Sequence, residues 1–170
     1  MTRRPPGVDR LNALPDENAE RELMTCCGSK AWAGAVAAAR PFADEAELAT
    51  AADRAFARIG WADVLEALSR HPRIGDPPEG DGRESAWSRA EQSGARASAE
   101  LRRGNLTYES RFGHVFLICA TGLSEERILA DLRRRVGNDP GTERETVRTE
   151  LQKITRLRLA GLAAGSGEDR

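Results

Sequence analysis

Aromatic side chains are scarce in this chain of 170 residues: Phe, Trp and Tyr make up 5% of it, and there is a single tyrosine. Strand-rich cores lean on aromatic and β-branched residues, whereas the alanine and leucine abundant here suit closely packed helices, so an all-α fold is expected. Cysteine is scarce as well. The 3 cysteines, two of them the neighbours Cys26 and Cys27, form no CxxC pair and no Cys/His zinc spacing. That argues against a disulfide framework and fits a reducing compartment. Net charge is almost absent: 26 Lys and Arg against 27 Asp and Glu leave -1. Without a strong positive field, nucleic acid is not an expected partner. No segment approaches the roughly 20 apolar residues that span a bilayer, and no apolar stretch follows the basic start Arg3-Arg4. A cytoplasmic protein with no membrane partner is expected.

What is present reads as a succession of capped helices. A hydrophobic content of 39% with 16 glycines is apolar enough to fold, and the length suits one domain. Pro15-Asp16 opens a segment that stops at Gly28. Ser29 caps residues 30–39, closed by Pro41, and Asp44 caps 45–58, stopped by Gly60. Residues 61–70 form the next helix, ended by Pro72. A polar loop follows at 73–83, then a helix from 85 to 103 closed by Gly104-Asn105 and a short helix at 106–113. The apolar run Val115-Phe116-Leu117-Ile118-Cys119-Ala120 fits a buried strand or a buried helical turn, and periodicity does not separate the two. Ser124 opens a helix ending at Gly137. Thr142-x-x-Glu145 forms a capping box for a last helix, with Val147, Leu151, Ile154, Leu157 and Leu159 on its packing side. The expectation is one compact bundle of about seven to nine helices over residues 9–164, with flexible ends at 1–8 and 165–170.

Only 2 histidines exist, so imidazole chemistry near neutral pH rests on His71 or His114. His71 stands where a helix stops, and Pro72 forces its backbone extended, which presents the ring at an edge. Carbonyls at a helix end also favour the protonated ring, as a proton donor requires; the plainer reading is a helix-capping histidine. Further on, Ser88 and Glu91 share a helix face with Gln92 beside them, offering donors and acceptors to a small polar ligand. A capping box with a solvated glutamine explains the same residues. Gly113 marks a close approach or an unusual backbone just before the apolar run, whose peptide groups could meet a ligand or simply belong to the core. Cys26, Cys27 and Cys119 read as small core hydrophobes. His71, Asp76, Glu91 and His114 have no metal-ligand spacing such as His-Glu-x-x-His, so no metal site is expected.

Read in order, Cys26-Cys27-Gly28-Ser29 with Trp32, Arg40-Pro41-Phe42, His71-Pro72-Arg73-Ile74-Gly75, Ser88-x-x-Glu91-Gln92, Asn105-x-x-Tyr108-x-x-Arg111-Phe112-Gly113 and Phe116-Leu117-Ile118-Cys119-Ala120 resemble the OHCU decarboxylase family. The resemblance runs from about Leu11 to Leu159. It implies an all-helical, homodimeric, cofactor-independent enzyme that converts 2-oxo-4-hydroxy-4-carboxy-5-ureidoimidazoline (OHCU) to (S)-allantoin, the last step of urate oxidation. It carries the catalytic histidine over to His71 and makes Glu91 the second catalytic candidate. Substrate contacts are implied for Pro72, for Ser88, Arg89, Ala90 and Gln92, and for Phe116, Leu117, Ile118, Cys119 and Ala120. The chain departs from the pattern at His114-Val115, where many relatives have Phe-Pro, and at Thr121, where some have Arg. Two other classes stay open on side chains alone: a non-catalytic helical interaction module, and a metal-dependent hydrolase of a related ureide.

Overall fold

The computed structural model describes residues 5–75 and 99–165. Among these residues there are eight α-helices and no strand: α1 (Pro6–Ala13), α2 (Asp16–Met24), α3 (Lys30–Ala38), α4 (Glu45–Arg58), α5 (Trp61–Leu68), α6 (Ala99–Phe112), α7 (Glu125–Val136) and α8 (Pro140–Ala163). None of them is long and apolar enough to cross a membrane. The described residues divide into two compact units, one reaching residue 67 and resuming at 152, the other lying between 68 and 151.

The first unit starts earlier than the expected residue 9. Pro6 occupies the opening turn of α1, where its missing N–H would have had no helical partner, and Gly7 and Val8 are buried. Gly7 is there because nothing larger fits. A Cβ would press on the Leu162 carbonyl and lie 2.6 Å from the Ala163 carbonyl oxygen. Local capping follows the sequence closely: Ser29 Oγ accepts from Trp32 N (3.2 Å) to open α3, and Asp44 Oδ1 accepts from Glu47 N (2.8 Å) to open α4. The fully buried Trp32 donates its indole N–H to Ala52 O at 3.0 Å, so its polar end is satisfied inside the core.

Arg40 ties this unit together. Its guanidinium donates to Ala37 O (2.9 Å), to Leu11 O and Leu14 O (2.7 Å each), and to Asp16 Oδ1 (2.6 Å). One cation therefore serves carbonyls at the ends of both α1 and α3, adding to the long local backbone bonds from Leu14 N to Leu11 O (3.4 Å) and from Arg40 N to Ala37 O (3.3 Å). Asn12 completes the arrangement by exchanging two hydrogen bonds with the Phe42 backbone, at 2.8 and 2.9 Å. Arg40-Pro41-Phe42 thus works for the fold. On α8 the inward stripe is Ile154, Leu159 and Leu162, while Leu157, expected on the packing side, is 49% exposed. Arg158 takes an inward position instead and donates to Thr25 O at 3.4 Å. Cys26 and Cys27 are buried and in no disulfide, and burial pushes the Cys27 thiol up, against thiolate formation.

In the second unit α6 runs straight through Gly104-Asn105, where a helix end was expected. Gly104 is a contact residue, because a Cβ there would come within 2.5 Å of Leu132 Cδ2 on α7. Asn105 is turned inward and donates to Ile74 O at 3.1 Å. Helix α7 opens at Ser124, whose Oγ accepts from Arg127 N (3.2 Å). Helix α8 opens at Asp139 and not at the expected Thr142: Thr142 N and Oγ1 donate to the two Asp139 carboxylate oxygens, at 3.0 and 2.6 Å. Pro140 then fills the first helical position, as proline prefers.

The core of this unit is Ile74, Leu101, Tyr108, Phe116, Ile118, Ala120, Ile128 and Leu132. An ion pair lies beside it. Arg135 Nη2 and Nε donate to Glu143 Oε1 at 2.6 and 2.9 Å, and both side chains are 1% exposed. Tyr108 Oη and Asn138 Nδ2 also donate to this carboxylate, and the guanidinium stacks 4.5 Å over the Phe116 ring.

Two stability outcomes follow from these contacts. Alanine ordinarily stabilises a helix by about 1 kcal/mol over glycine, but Gly7→Ala must displace backbone at the end of α8 and should instead destabilise by about 1–3 kcal/mol in denaturant unfolding. Glu143→Leu strands the Arg135 charge in the interior and should cost about 3–5 kcal/mol, read by the same titration.

Candidate active site

His71 follows the last turn of α5, and its backbone N–H donates to Leu68 O at 3.0 Å. It is half-buried, as is Pro72. The chain beyond is fastened to α6 at two points. Arg73 forms a bidentate pair with Glu109, Nε to Oε1 at 2.6 Å and Nη2 to Oε2 at 2.8 Å, and the Ile74 carbonyl accepts from Asn105. The histidine is therefore followed directly by a clamped segment. Asn105 Oδ1 is buried without a hydrogen-bond partner among the described residues.

The run at 116–120 settles the strand-or-helix question as neither. It is straight, with no turn or bend and no partner strand among the described residues, so it is isolated extended backbone. It leaves the aromatic end of α6 through Gly113 at φ +80 and ends before Gly122 at φ +77, a backbone region open mainly to glycine. His114 lies at its start with Nδ1 3.0 Å from Val115 O, and its ring stacks near Phe112 and meets Tyr108 edge-on. His114 thus belongs to an aromatic cluster.

Two charged side chains hold one edge of the run. Arg135 Nη1 donates to Leu117 O at 2.7 Å, and the Cys119 N–H donates to Glu150 Oε2 at 2.8 Å. Ala120 O is taken by the Leu123 N–H at 3.0 Å. Ile118 is buried, yet its N–H and C=O have no partner among the described residues.

Of the residues singled out from the sequence, Ile74, three positions after His71, shares a buried cluster with Phe116, Ile118 and Ala120. Ser88, Arg89, Ala90, Glu91, Gln92 and Asp76 lie outside the described residues. Three residues were missed: Arg135, Glu143 and Glu150. The signal for two of them is position. Arg135 continues the buried α7 stripe of Ile128 and Leu132, and Glu143 precedes Val147 and Leu151 on α8 at i+4 steps. A charge on an apolar stripe is the mark of a buried pair. Burial pushes the Tyr108 phenol well above its usual range, and the Glu143 carboxylate adds to the effect, so this hydroxyl is a donor and not a base. Among the described residues no group of three or more His, Cys, Asp and Glu could hold a metal ion.

Comparison with known proteins agrees with this architecture. The OHCU decarboxylase family model matches residues 12–160. The chain is 36% identical over 154 residues to the uric acid degradation bifunctional protein TTL of Arabidopsis thaliana, covering 86% of this chain and 48% of that protein, so it spans about half of that relative. It is 31% identical over 157 residues to the 2-oxo-4-hydroxy-4-carboxy-5-ureidoimidazoline decarboxylase of Haloferax volcanii, covering 90% of this chain and 94% of that one. A crystal structure of an OHCU decarboxylase in the presence of (S)-allantoin superposes with a TM-score of 0.72 at 30% identity, over 89% of this chain and 99% of the other. An all-helical chain matched by one family model over nearly its whole described length is a member of that family, the OHCU decarboxylases.

Proposed function

We propose that this protein decarboxylates OHCU to (S)-allantoin in urate degradation, with His71 as the proton-transfer residue. Family membership supports the reaction. The observation that supports the site is Ile74, three residues beyond His71, packing in one buried cluster with Phe116, Ile118 and Ala120, with the Ile118 peptide groups left over for a ligand. The reading takes residues 9–164, together with the opening turn of α1 from Pro6, as one catalytic domain, which the match over 12–160 supports. It also includes a small-molecule substrate and a homodimer, as the family resemblance implies, and a cytoplasmic location, as the sparse cysteines suggest.

The chemistry needs no prosthetic electron sink. When the bond to the carboxylate breaks and CO2 departs, its electron pair forms a C=C bond while the neighbouring ring C=N nitrogen takes up a proton. The resulting enol loses its hydroxyl proton to become the ring carbonyl. A proton arrives at the carbon that bears the ureido group. In this scheme His71 moves that proton, Glu91 orients the imidazole and favours its charged form, and Ser88, Gln92 and the 116–120 peptide groups hold the ring and the ureido arm. Pro72, Arg89 and Ala90 complete the contacts. Delivery from one face gives one enantiomer.

The test is to mix the purified protein with freshly generated OHCU, with no metal added, and follow the circular dichroism of allantoin. Optically active product formed faster than the spontaneous decay is expected; racemic product at the spontaneous rate would end the proposal. His71→Asn should lower turnover by on the order of 10²-fold or more with unfolding unchanged. EDTA should leave the wild-type rate where it was, in contrast to a metal-dependent ureide hydrolase.

A further inference from the structure

We infer that Glu150 and Arg135 are positioning residues for the substrate: by holding the Leu117–Cys119 edge of the 116–120 run, they turn the Ile118 peptide edge toward an amide or ureide group. The inference rests on the decarboxylase reading above and deepens it. In extended backbone the N–H and C=O of one residue point to one edge, and those of its two neighbours point to the other. Leu117 O and Cys119 N are thus on the same edge, and that edge is filled by Arg135 of α7 and Glu150 of α8. The opposite edge carries Ile118. Buried backbone donors and acceptors are almost always paired, yet Ile118 is 7% exposed and neither of its peptide groups has a partner among the described residues. One donor and one acceptor side by side match the C=O and N–H of a ureide, the functional group that OHCU and allantoin share.

Two ionic side chains are used where two backbone bonds would otherwise serve. With a neighbouring strand in their place, the run would be part of a sheet. With none, it would have no fixed orientation about its own axis. Arg135 is itself fixed by Glu143, so the hold on Leu117 O is rigid. Glu150 is half-buried near the end of this unit and is the more accessible of the two to substitution.

The test compares Glu150→Gln, which keeps an oxygen acceptor for the Cys119 N–H, with Glu150→Leu, which removes it. On OHCU, followed by circular dichroism, Glu150→Leu should raise KM by on the order of 10-fold with a smaller change in kcat, because a binding contact has lost its orientation. Glu150→Gln should stay near wild type. An active wild type whose Glu150→Leu variant keeps its KM overturns this inference alone, and so does a Gln variant as impaired as the Leu one. Inactive wild-type protein overturns the decarboxylase reading instead. A second measurement needs no variant and no turnover. Saturating (S)-allantoin should slow hydrogen exchange at the Ile118 amide of the wild-type protein, and unchanged exchange there would overturn the inference.

Discussion

The cost of taking one guanidinium out of water organises the second unit. A buried charge is tolerated only when its partners are in place, and Arg135 has them from three directions: Glu143 on α8, the Leu117 carbonyl on the 116–120 run, and the ring face of Phe116. These partners come from two segments, α8 and the run, and the cation itself from a third, α7. The cation therefore specifies how α7, α8 and the run meet, which hydrophobic contacts alone would leave looser. Glu143 extends the constraint to α6 through Tyr108, and Asn138 covers its second oxygen.

The candidate site inherits its form from that arrangement. A peptide segment that is neither helix nor sheet offers free hydrogen-bonding groups, and a helical protein has few other ways to present them, because helices consume their own. Here the exception is short and bounded by Gly113 and Gly122, each with positive φ. The histidine side is organised differently, by a clamp on α6 through Arg73–Glu109 and Asn105–Ile74. The segment after the proposed proton-transfer group is thus anchored on α6 and the proposed binding edge on α7 and α8, and the two share one core.

What could be read in advance from the chain was mainly local. The caps at Ser29, Asp44 and Ser124 were legible because the side chain and the N–H it serves lie three residues apart. Gly104 was misread because its reason is tertiary: it makes room for Leu132, 28 positions along, and a lone glycine in sequence looks the same whether it ends a helix or lets two helices touch. The opening turn of α1 was taken for part of a loose terminus, because the contact that orders it, Gly7 against Leu162 and Ala163, comes from the far end of the chain. His71 and residues 116–120 became candidates through family resemblance. The electrostatics that hold that run in place were not legible, since Arg135 was one arginine among three in a row and Glu150 one acid on a polar face.

The lone tyrosine makes the second unit optically self-reporting. Tyr108 is the only phenol in the chain, and in the native state its proton is retained beyond the range in which an unfolded chain would release it, near pH 10. The native form thus binds a proton that the unfolded form lacks, and its margin of stability shrinks as the solution is made more alkaline through that range. Tyrosinate absorbance near 295 nm, rising in step with the loss of helical signal, would then be a record of the Arg135–Glu143 centre coming apart, without any added label.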